Sequence, residues 1–335
     1  MHNRTAQLAL AFIAACGLVH ADLQAQTRKR PASSRTSAAR KGAPAPKLQC
    51  GDYVSFQVLL DRQGFSPGQI DGKTGANFSK ALAALQTAKS LTASGRPDCD
   101  TWKALNAEGA EPTVTSYTIT DEDVKGPFEK IPVKAADQAK LPALGYQSAA
   151  ELLGERFHAS PALLTQLNPG VAMTAGKSIK VPAVTPFDPN VKPTHDPASA
   201  DITIQVSKAD ASLRATRADG TLVFFAPVSS GSTHDPLPPG EWKVTGVAWH
   251  PVFHYNPDLF WDAKPKDEKQ TLKPGPNNPV GVAWIALNLE HYGIHGTPEP
   301  ANIGHTESHG CVRLTNWDAA RVAALVKPGT AVTFK

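Results

Sequence analysis

A histidine and a cysteine stand sixteen residues apart near the C-terminus, each beside a glycine and an apolar run. His295 lies in residues 292–297 (YGIHGT), and Cys311 lies in residues 308–313 (SHGCVR). The thiolate is the nucleophilic form of cysteine, and a neighbouring imidazole commonly produces it near neutral pH. The pattern therefore predicts nucleophilic catalysis, with Cys311 as nucleophile and His295 as the base that takes and later returns a proton.

The backbone beside these residues offers hydrogen-bonding groups for the same chemistry. Gly310 lets the chain approach a ligand closely, and the N–H groups of His309, Gly310 and Cys311 are candidate donors to an oxyanion. The carbonyl of Gly296 is a candidate partner for the second ring nitrogen of His295. We expect it to replace an acidic third residue, because neither motif contains a well-placed Asp or Glu.

Four side chains near the two motifs are further candidates. Arg313 could hold a substrate carboxylate through its planar guanidinium, or form a local salt bridge. His309 could tune the nucleophile or support the loop, and it ranks second as a base. Ser308 is expected to make mainly structural hydrogen bonds. We include Ser308, Tyr292 and Arg313 among the candidate substrate-binding residues.

A zinc site is the main alternative chemistry in this region. His291 and His295 are four residues apart, and His305, His309 and Cys311 follow. Imidazole and thiolate ligands suit zinc, but this spacing is irregular. We expect residues 291–295 to form a strand, in which the two histidines share a face but stand well apart. The sequence therefore predicts no metal and no cofactor.

The two motifs resemble the catalytic signature of YkuD-type L,D-transpeptidases. In that signature a His-Gly pair is followed, after some fifteen residues, by Ser/Thr-His-Gly-Cys, an apolar residue and Arg or Asn. Residues 295–296 and 308–313 contain every element, and residues 274–281 (PGPNNPVG) are similar to another segment of the family. The likeness spans about residues 200–335. Residues 304–307 (GHTE) depart from it where many relatives carry basic residues, which affects the expected substrate contacts.

The resemblance implies a mainly β domain with the cysteine at one end of a groove. It also implies attack on a peptidoglycan stem peptide at the L-centre of its third residue, with release of D-alanine and formation of a thioester. A second stem peptide as acceptor would give a cross-link, and an envelope protein would become attached to the wall. Water as acceptor would make the enzyme an L,D-carboxypeptidase. The implied partner is peptidoglycan.

The hydrophobic pattern from residue 201 onward is that of β-strands. Ile202, Ile204 and Val206 alternate with polar neighbours. Asn316 is expected to cap a helix over 317–326. The irregular stretch 249–281 has the composition of a lid or binding loop. Further strands are predicted over 222–228, 242–247, 282–289 and 330–334.

The rest of the chain predicts a multidomain α+β protein, since 335 residues exceed one ordinary domain. Residues 49–108 have the apolar spacing of three helices, the first ending at Gly64, the second over 79–89 and the third capped within 100–102. Residues 65–75, 81–86 and 100–105 resemble the peptidoglycan-binding three-helix domain. Cys50 and Cys99 flank this segment and could pair in an oxidising compartment.

Residues 113–185 are expected to form a second small module. Residues 163–170 and 179–182 resemble the second half of a LysM module, and residues 117–120 are a candidate first strand. About thirty intervening residues depart from that pattern. LysM modules usually bind N-acetylglucosamine chains, and we expect the architecture here without assigning binding residues. Residues 186–199 are predicted to be a proline-rich linker before the catalytic domain at 200–335.

The N-terminus has the pattern of an export signal over residues 1–25, with Arg4 ahead of an apolar stretch. Cys16 offers the alternative of a lipidated cysteine, the one case in which we expect membrane attachment. Residues 26–48 carry seven basic residues and no acidic one. A solvated tether is favoured there over a nucleic-acid-binding segment. Export predicts an envelope location, most simply the periplasm.

A murein-binding scaffold is the alternative from a different function class. Two of the three predicted folded units look like wall-adhesion modules, and a scaffold would need weak catalysis or none. The paired His295 and Cys311 favour the enzyme. The residues do not determine the acceptor amine, and peptidoglycan or an envelope protein could supply it.

Overall fold

The computed structural model describes residues 47–199 and 201–335. The predicted signal peptide, Cys16 and nearly all of the tether lie outside these residues. Among the described residues, no helix has the length and hydrophobicity needed to span a bilayer. Leu48, at the end of the predicted tether, already packs against the core of the first domain.

Three helices form the first domain around a core that includes Phe56, Leu60 and Leu82. Cys50 and Cys99 are joined by a disulfide that closes this domain, with an S–S distance of 2.01 Å. Two predicted helix starts were wrong. The second helix begins before Ser79, and Asp98 caps the third helix by accepting a hydrogen bond from the Thr101 N–H at 2.7 Å. The helices are α1 (Tyr53–Arg62), α2 (Ala76–Ala88) and α3 (Cys99–Ala104).

The second module has two paired strands that enclose four helices, one of which lies in an irregular insertion. Strands β1 (Val114–Thr118) and β2 (Ser178–Pro182) pair in antiparallel register, Val114 opposite Pro182. The helices α6 and α7 pack on this ribbon, and Val58 and Ile70 of the first domain complete the apolar core. The strand begins at Val114, earlier than the predicted residues 117–120. The helices of this module are α4 (Asp121–Val124), α5 (Ala135–Gln138), α6 (Ala149–Arg156) and α7 (Pro161–Leu167).

Residues 125–148 of this module reach the C-terminal domain. The N–H of Leu144 donates to the Pro274 carbonyl at 3.0 Å, and the carbonyl of Leu144 accepts from the Asn277 N–H at 2.9 Å. A Cβ at Gly275 would lie 2.1 Å from the Leu144 oxygen, so only glycine permits this approach. The irregular insertion therefore docks the module onto the segment 274–278.

The proline-rich segment 186–199 packs on the neighbouring domains, which corrects its description as a simple linker. Phe187 is buried in the C-terminal core, and its N–H donates to the Arg156 carbonyl at 2.8 Å. His195 Nδ1 lies 3.0 Å from the Ala324 carbonyl. Apolar burial and backbone hydrogen bonds thus fix a segment whose composition alone suggested a spacer.

The C-terminal domain contains a sheet in the spatial order β5-β4-β3-β13-β7-β10-β11-β12-β6. Its pairs are antiparallel except for β3 with β13 and β11 with β12, which are parallel. Strands β8 and β9 form a separate ribbon in the predicted lid. The strands are β3 (Thr203–Ser207), β4 (Ser212–Thr216), β5 (Leu222–Pro227), β6 (Ser229–Ser230), β7 (Gly240–Trp249), β8 (Phe253–Tyr255), β9 (Gln270–Leu272), β10 (Ala283–Leu287), β11 (Gly293–His295), β12 (Val312–Arg313) and β13 (Ala331–Phe334).

Helix α8 (Asn316–Leu325) covers one face of this sheet. Trp317 on the helix is 1% exposed and packs in the same core as Ile294 and Val312. The predicted cap was wrong: Thr315 is the N-cap, and its hydroxyl accepts from the Asp318 N–H at 3.2 Å. With the N-cap at Thr315, Asn316 lies in the first turn of α8, and its side chain is buried.

A buried polar cluster joins the three folded units. Asp61 of α1 accepts two hydrogen bonds from the Arg321 guanidinium, at 2.9 and 2.7 Å, and lies 3.1 Å from Nδ1 of His158. Burial alone would raise the pKa of Asp61, but Arg321 and His158 hold that pKa well below its usual range. The His158 ring stacks on Trp317 with centroids 5.1 Å apart. One carboxylate therefore ties the first domain to both others.

We predict that Arg321→Ala lowers the free energy of unfolding by about 3–5 kcal/mol, because it leaves the buried Asp61 charge without its main partner. Chemical denaturation of the disulfide-bonded protein measures the change. Arg96→Ala, at an exposed arginine of the first domain, is the matched control and should stay within about 0.5 kcal/mol of wild type. Equal denaturation midpoints for the two variants would contradict the assignment.

Candidate active site

The parallel pairing of β11 with β12 brings the two sequence motifs together. Ile294 is opposite Val312, and His295 is opposite Arg313. Residues opposite each other on neighbouring strands point to the same face, and successive residues alternate. Ile294 and Val312 thus enter the core, while His295 and Arg313 face the other way. Cys311, directly before β12, lines the same cavity as His295.

His295 is 3% exposed, and its orientation is fixed by its own chain neighbour. The ring Nδ1 lies 2.7 Å from the Gly296 carbonyl oxygen. A carbonyl only accepts, so Nδ1 carries the hydrogen and Nε2 has the free lone pair. Trp284, opposite His295 on β10, stacks on the imidazole with centroids 5.4 Å apart. The contact with the Gly296 carbonyl and the stacking on Trp284 hold the imidazole in one orientation.

Burial, reinforced by repulsion from Arg313, lowers the pKa of His295 to about 3, despite the opposing hydrogen bond to Gly296. Burial also raises the pKa of the Cys311 thiol, although the Gly293 N–H and Arg313 both favour its thiolate. The thiol lies 3.5 Å from the His291 carbonyl oxygen and can donate to it. Both shifts favour the neutral thiol and the neutral imidazole in the resting site.

Ser308 stabilises the turn that contains Cys311. Its hydroxyl donates to the Cys311 carbonyl at 2.5 Å and accepts from the Gly231 N–H at 2.7 Å. Ser308 is 3% exposed, so it shapes the turn and does not line the cavity, contrary to its placing among substrate-binding residues. Gly310 has φ +99°, and a Cβ there would lie 2.7 Å from the Tyr292 ring. The turn therefore needs glycine at this position.

The predicted lid covers the cavity and contacts His309. Its hairpin, β8 and β9, is connected by residues 256–269. His309 Nε2 lies 2.9 Å from Asp262 Oδ1, and the His309 ring meets Phe260 edge-on at 4.9 Å. Trp261 stacks on His234 at 4.2 Å. His309 therefore connects the cysteine loop to the lid, which supports its loop role over that of a base.

A cavity of about 630 Å³ brings most of the predicted residues together. Cys311, His295, His309, Tyr292 and Arg313 line it. Gly296 and Gly310 act through the backbone beside it, as described above. Further lining residues come from the lid, the strand β10 and the turn before β11: Phe253, Phe260, Trp284 and His291.

The two histidines considered first as zinc ligands, His291 and His295, do not share one strand, contrary to the prediction of a strand over 291–295. His291 precedes β11 with φ +66°, so it is outside the strand that holds His295. Its Nε2 lies 3.4 Å from Glu290. Across residues 47–199 and 201–335, no group of three or more His, Cys, Asp or Glu side chains is placed to hold a metal ion.

Sequence reasoning missed three contributors to the site. Trp284 stacks on the base, Asp262 contacts His309, and Asn316 supports the Gly296 backbone. Strand alternation could have identified Trp284, because it lies in the predicted strand 282–289 that precedes the histidine motif. Asp262 and Asn316 act across large sequence separations, and neither carries a local signal.

Comparison with known proteins follows this geometry. The family model described as "L,D-transpeptidase catalytic domain" matches residues 201–333, and the model described as "Putative peptidoglycan binding domain" matches residues 51–105. A Bacillus subtilis (strain 168) protein named "Putative L,D-transpeptidase YkuD" is 30% identical over 180 residues, which are 53% of this chain and 88% of the relative. The chain belongs to the YkuD family of L,D-transpeptidases.

Another curated protein and two solved structures are also similar to parts of this chain. The Bacillus licheniformis protein of that name is 28% identical over 187 residues, covering 55% of this L,D-transpeptidase and 92% of the relative. A solved L,D-transpeptidase from Mycobacterium smegmatis is 19% identical with a TM-score of 0.33, covering 40% of this chain and 58% of that one. L,D-transpeptidase 3 from Mycobacterium tuberculosis is 15% identical with a TM-score of 0.34, covering 48% and 75%.

We predict that alkylation of Cys311 by iodoacetamide accelerates about tenfold per pH unit between pH 6 and 8.5, because the raised thiol pKa keeps the thiolate a minor species throughout. With the His295 pKa at about 3, protonation of that ring should add no inflection in this range. Mass analysis of the peptide that contains Cys311 gives the rate and separates it from Cys16. A rate that is already level at pH 7 would mean that the resting site is a thiolate–imidazolium pair.

Proposed function

We propose that this L,D-transpeptidase acts on peptidoglycan stem peptides through a thioester on Cys311. The supporting observation is the contact of 2.7 Å between His295 Nδ1 and the Gly296 carbonyl oxygen. The His295 Nδ1–H donates to the Gly296 carbonyl, so the basic Nε2 is the nitrogen available to the cavity that Cys311 lines. A neutral imidazole beside a neutral thiol can take the proton as the sulfur attacks, without a charged resting pair.

The reaction proceeds in two acyl-transfer steps. His295 takes the thiol proton while sulfur bonds to the carbonyl carbon at the L-centre of the third stem residue. The C–N bond to the terminal D-alanine breaks, and the imidazolium returns the proton to that leaving amine. An acceptor amine then attacks the thioester and gives its proton to His295, which passes it to the departing sulfur. The products are a new amide and the free thiol.

Charge in the cavity favours the intermediates of this scheme. Arg313 lies opposite His295 in the strand register and stabilises negative charge on Cys311. We propose that its planar guanidinium holds a carboxylate of the diamino acid stem residue. The backbone N–H groups around Gly310 are the donors we assign to the oxyanion. Arg313 also disfavours an imidazolium, so proton transfer and sulfur attack must coincide.

The first two units are proposed to hold the enzyme on its substrate. The first carries the peptidoglycan-binding family match, and in the second an antiparallel pair of strands encloses the helices, an arrangement similar to that of a LysM module. Residues 201–335 are only 135 of 335 residues, yet the Bacillus subtilis relative matches 53% of the chain. The likeness therefore reaches into the preceding module. We assign that module to the LysM class, with glycan as its ligand.

An exported location accompanies this function. Peptidoglycan lies outside the cytoplasmic membrane, the N-terminal residues have an export pattern, and the Cys50–Cys99 disulfide suits an oxidising compartment. We propose the periplasm, with a second stem peptide as the acceptor that makes a cross-link. Attachment of an envelope protein and hydrolysis by water use the same thioester and differ only in the acceptor.

We predict that the enzyme releases D-alanine from purified muropeptides and yields cross-linked products. Mass analysis detects both. Cys311→Ala should abolish both products and the acyl-enzyme mass while leaving sacculus binding within about twofold. His295→Gln should lower kcat by about 10²–10⁴-fold, the usual contribution of a positioned base. Processing of stem peptides by Cys311→Ala would disprove the nucleophile, whereas a folded wild type that never acylates would favour the scaffold.

A further inference from the structure

We propose that Glu155, on α6 of the second module, is a positioning residue for the catalytic histidine of the C-terminal domain. This inference rests on the proposed role of His295 as general base. Glu155 is buried at the interface between the module and α8. Glu155 contacts the side chain of Asn316. Asn316 in turn contacts Gly296, whose carbonyl orients the imidazole.

The first step is a hydrogen bond between domains. Asn316 Nδ2 donates to Glu155 Oε1 at 2.6 Å and to the Pro276 carbonyl at 3.0 Å. Asn316 is 0% exposed, so water cannot replace either partner. A carboxylate oxygen and a carbonyl oxygen both accept hydrogen bonds, so together they require the NH₂ end of the amide on their side.

The second step is the position of the other end of that amide. Asn316 Oδ1 accepts from the Val282 N–H at 3.2 Å. The same oxygen is in close contact with two glycines: a Cβ at Gly281 would lie 2.0 Å from it, and one at Gly296 would lie 2.1 Å from it. The Asn316 amide oxygen thus packs against Gly296, and we expect a shift or flip of the amide to displace the Gly296 backbone.

The third step reaches the base. The Gly296 carbonyl accepts from His295 Nδ1 at 2.7 Å, and the Gly296 N–H donates to the Ala283 carbonyl at 3.2 Å. Gly296 is therefore bonded on one side to the sheet and on the other to the imidazole. Displacement of its peptide would move the ring that serves Cys311.

The environment of Glu155 suits this role. Tyr146, from the insertion, interacts with the buried carboxyl group of Glu155. Burial raises the pKa of Glu155 to about 7, while the Tyr146 and Asn316 hydrogen bonds oppose that rise. Charged or neutral, the carboxyl keeps an oxygen that accepts from Asn316. Glu155→Gln can keep the same bond through its amide oxygen.

Glu151 provides a matched control. It lies one turn earlier on α6 and also bonds across the interface, with Oε1 2.7 Å from Asn277 Nδ2. It makes no hydrogen bond to Asn316 in the structure described here. A residue that only docks the module should behave like Glu151, whereas a positioning residue should not.

The test compares Glu155→Met, Glu155→Gln and Glu151→Met in the full chain, with steady-state kinetics on muropeptides. We expect Glu155→Met to lower kcat by about 10–100-fold with KM changed less than twofold, because small displacements of catalytic groups cost about this much. Glu155→Gln should recover most of the rate, and Glu151→Met should keep it. Equal losses in the two Met variants, or a folded Glu155→Met with wild-type kcat, would overturn the proposal.

A second measurement does not depend on transpeptidation. The ¹⁵N chemical shifts of the histidine rings report whether the His295 hydrogen stays on Nδ1. We expect Glu155→Met to weaken this preference and Glu151→Met to preserve it, even if the wild type processes no muropeptide. Should Glu155→Met fail to fold, Tyr146→Phe removes one donor to Glu155 and is measured in the same way. An unchanged His295 signal in the folded variant would refute positioning by Glu155.

Discussion

The active site depends on the parallel pairing of two very short strands. Because β11 and β12 are adjacent and in register, alternate residues of two distant motifs fall on the same face. Core residues Ile294 and Val312 hold the pairing from one side, and the cavity lies on the other. The apolar contacts with α8 therefore both stabilise the domain and fix the relative positions of nucleophile and base.

Burial in this arrangement sets the chemistry. The same desolvation that strengthens the hydrogen bond from His295 to Gly296 disfavours charge on the imidazole and on the thiol. Arg313 shifts the balance toward the thiolate and away from the imidazolium. In the proposed mechanism, proton transfer is coupled to sulfur attack, and charge develops only when substrate excludes water and backbone donors receive the oxyanion.

The first two units are integrated with the catalytic domain. Asp61 is buried between Arg321 and His158, and Asn316 receives its partner from α6. Composition suggested separate modules joined by a linker, but Phe187 and Leu144 enter neighbouring interfaces. The sequence shows that residues such as these are apolar, but it does not show which distant surface they pack against. Asp262 and Asn316 could not be predicted for the same reason, because their partners lie far away in the chain.

The sequence by itself determined the local features: helix and strand periods, glycines at tight turns, and the motif residues that carry the chemistry. His295, Cys311, Gly296 and the family membership follow from residue types at short spacing. The tertiary structure alone decided the burial that shifts the pKa values of the pair, the hydrogen-bond partners of Ser308 and the contact between Glu155 and Asn316. These properties depend on burial and on long-range neighbours, which the order of residues does not encode locally.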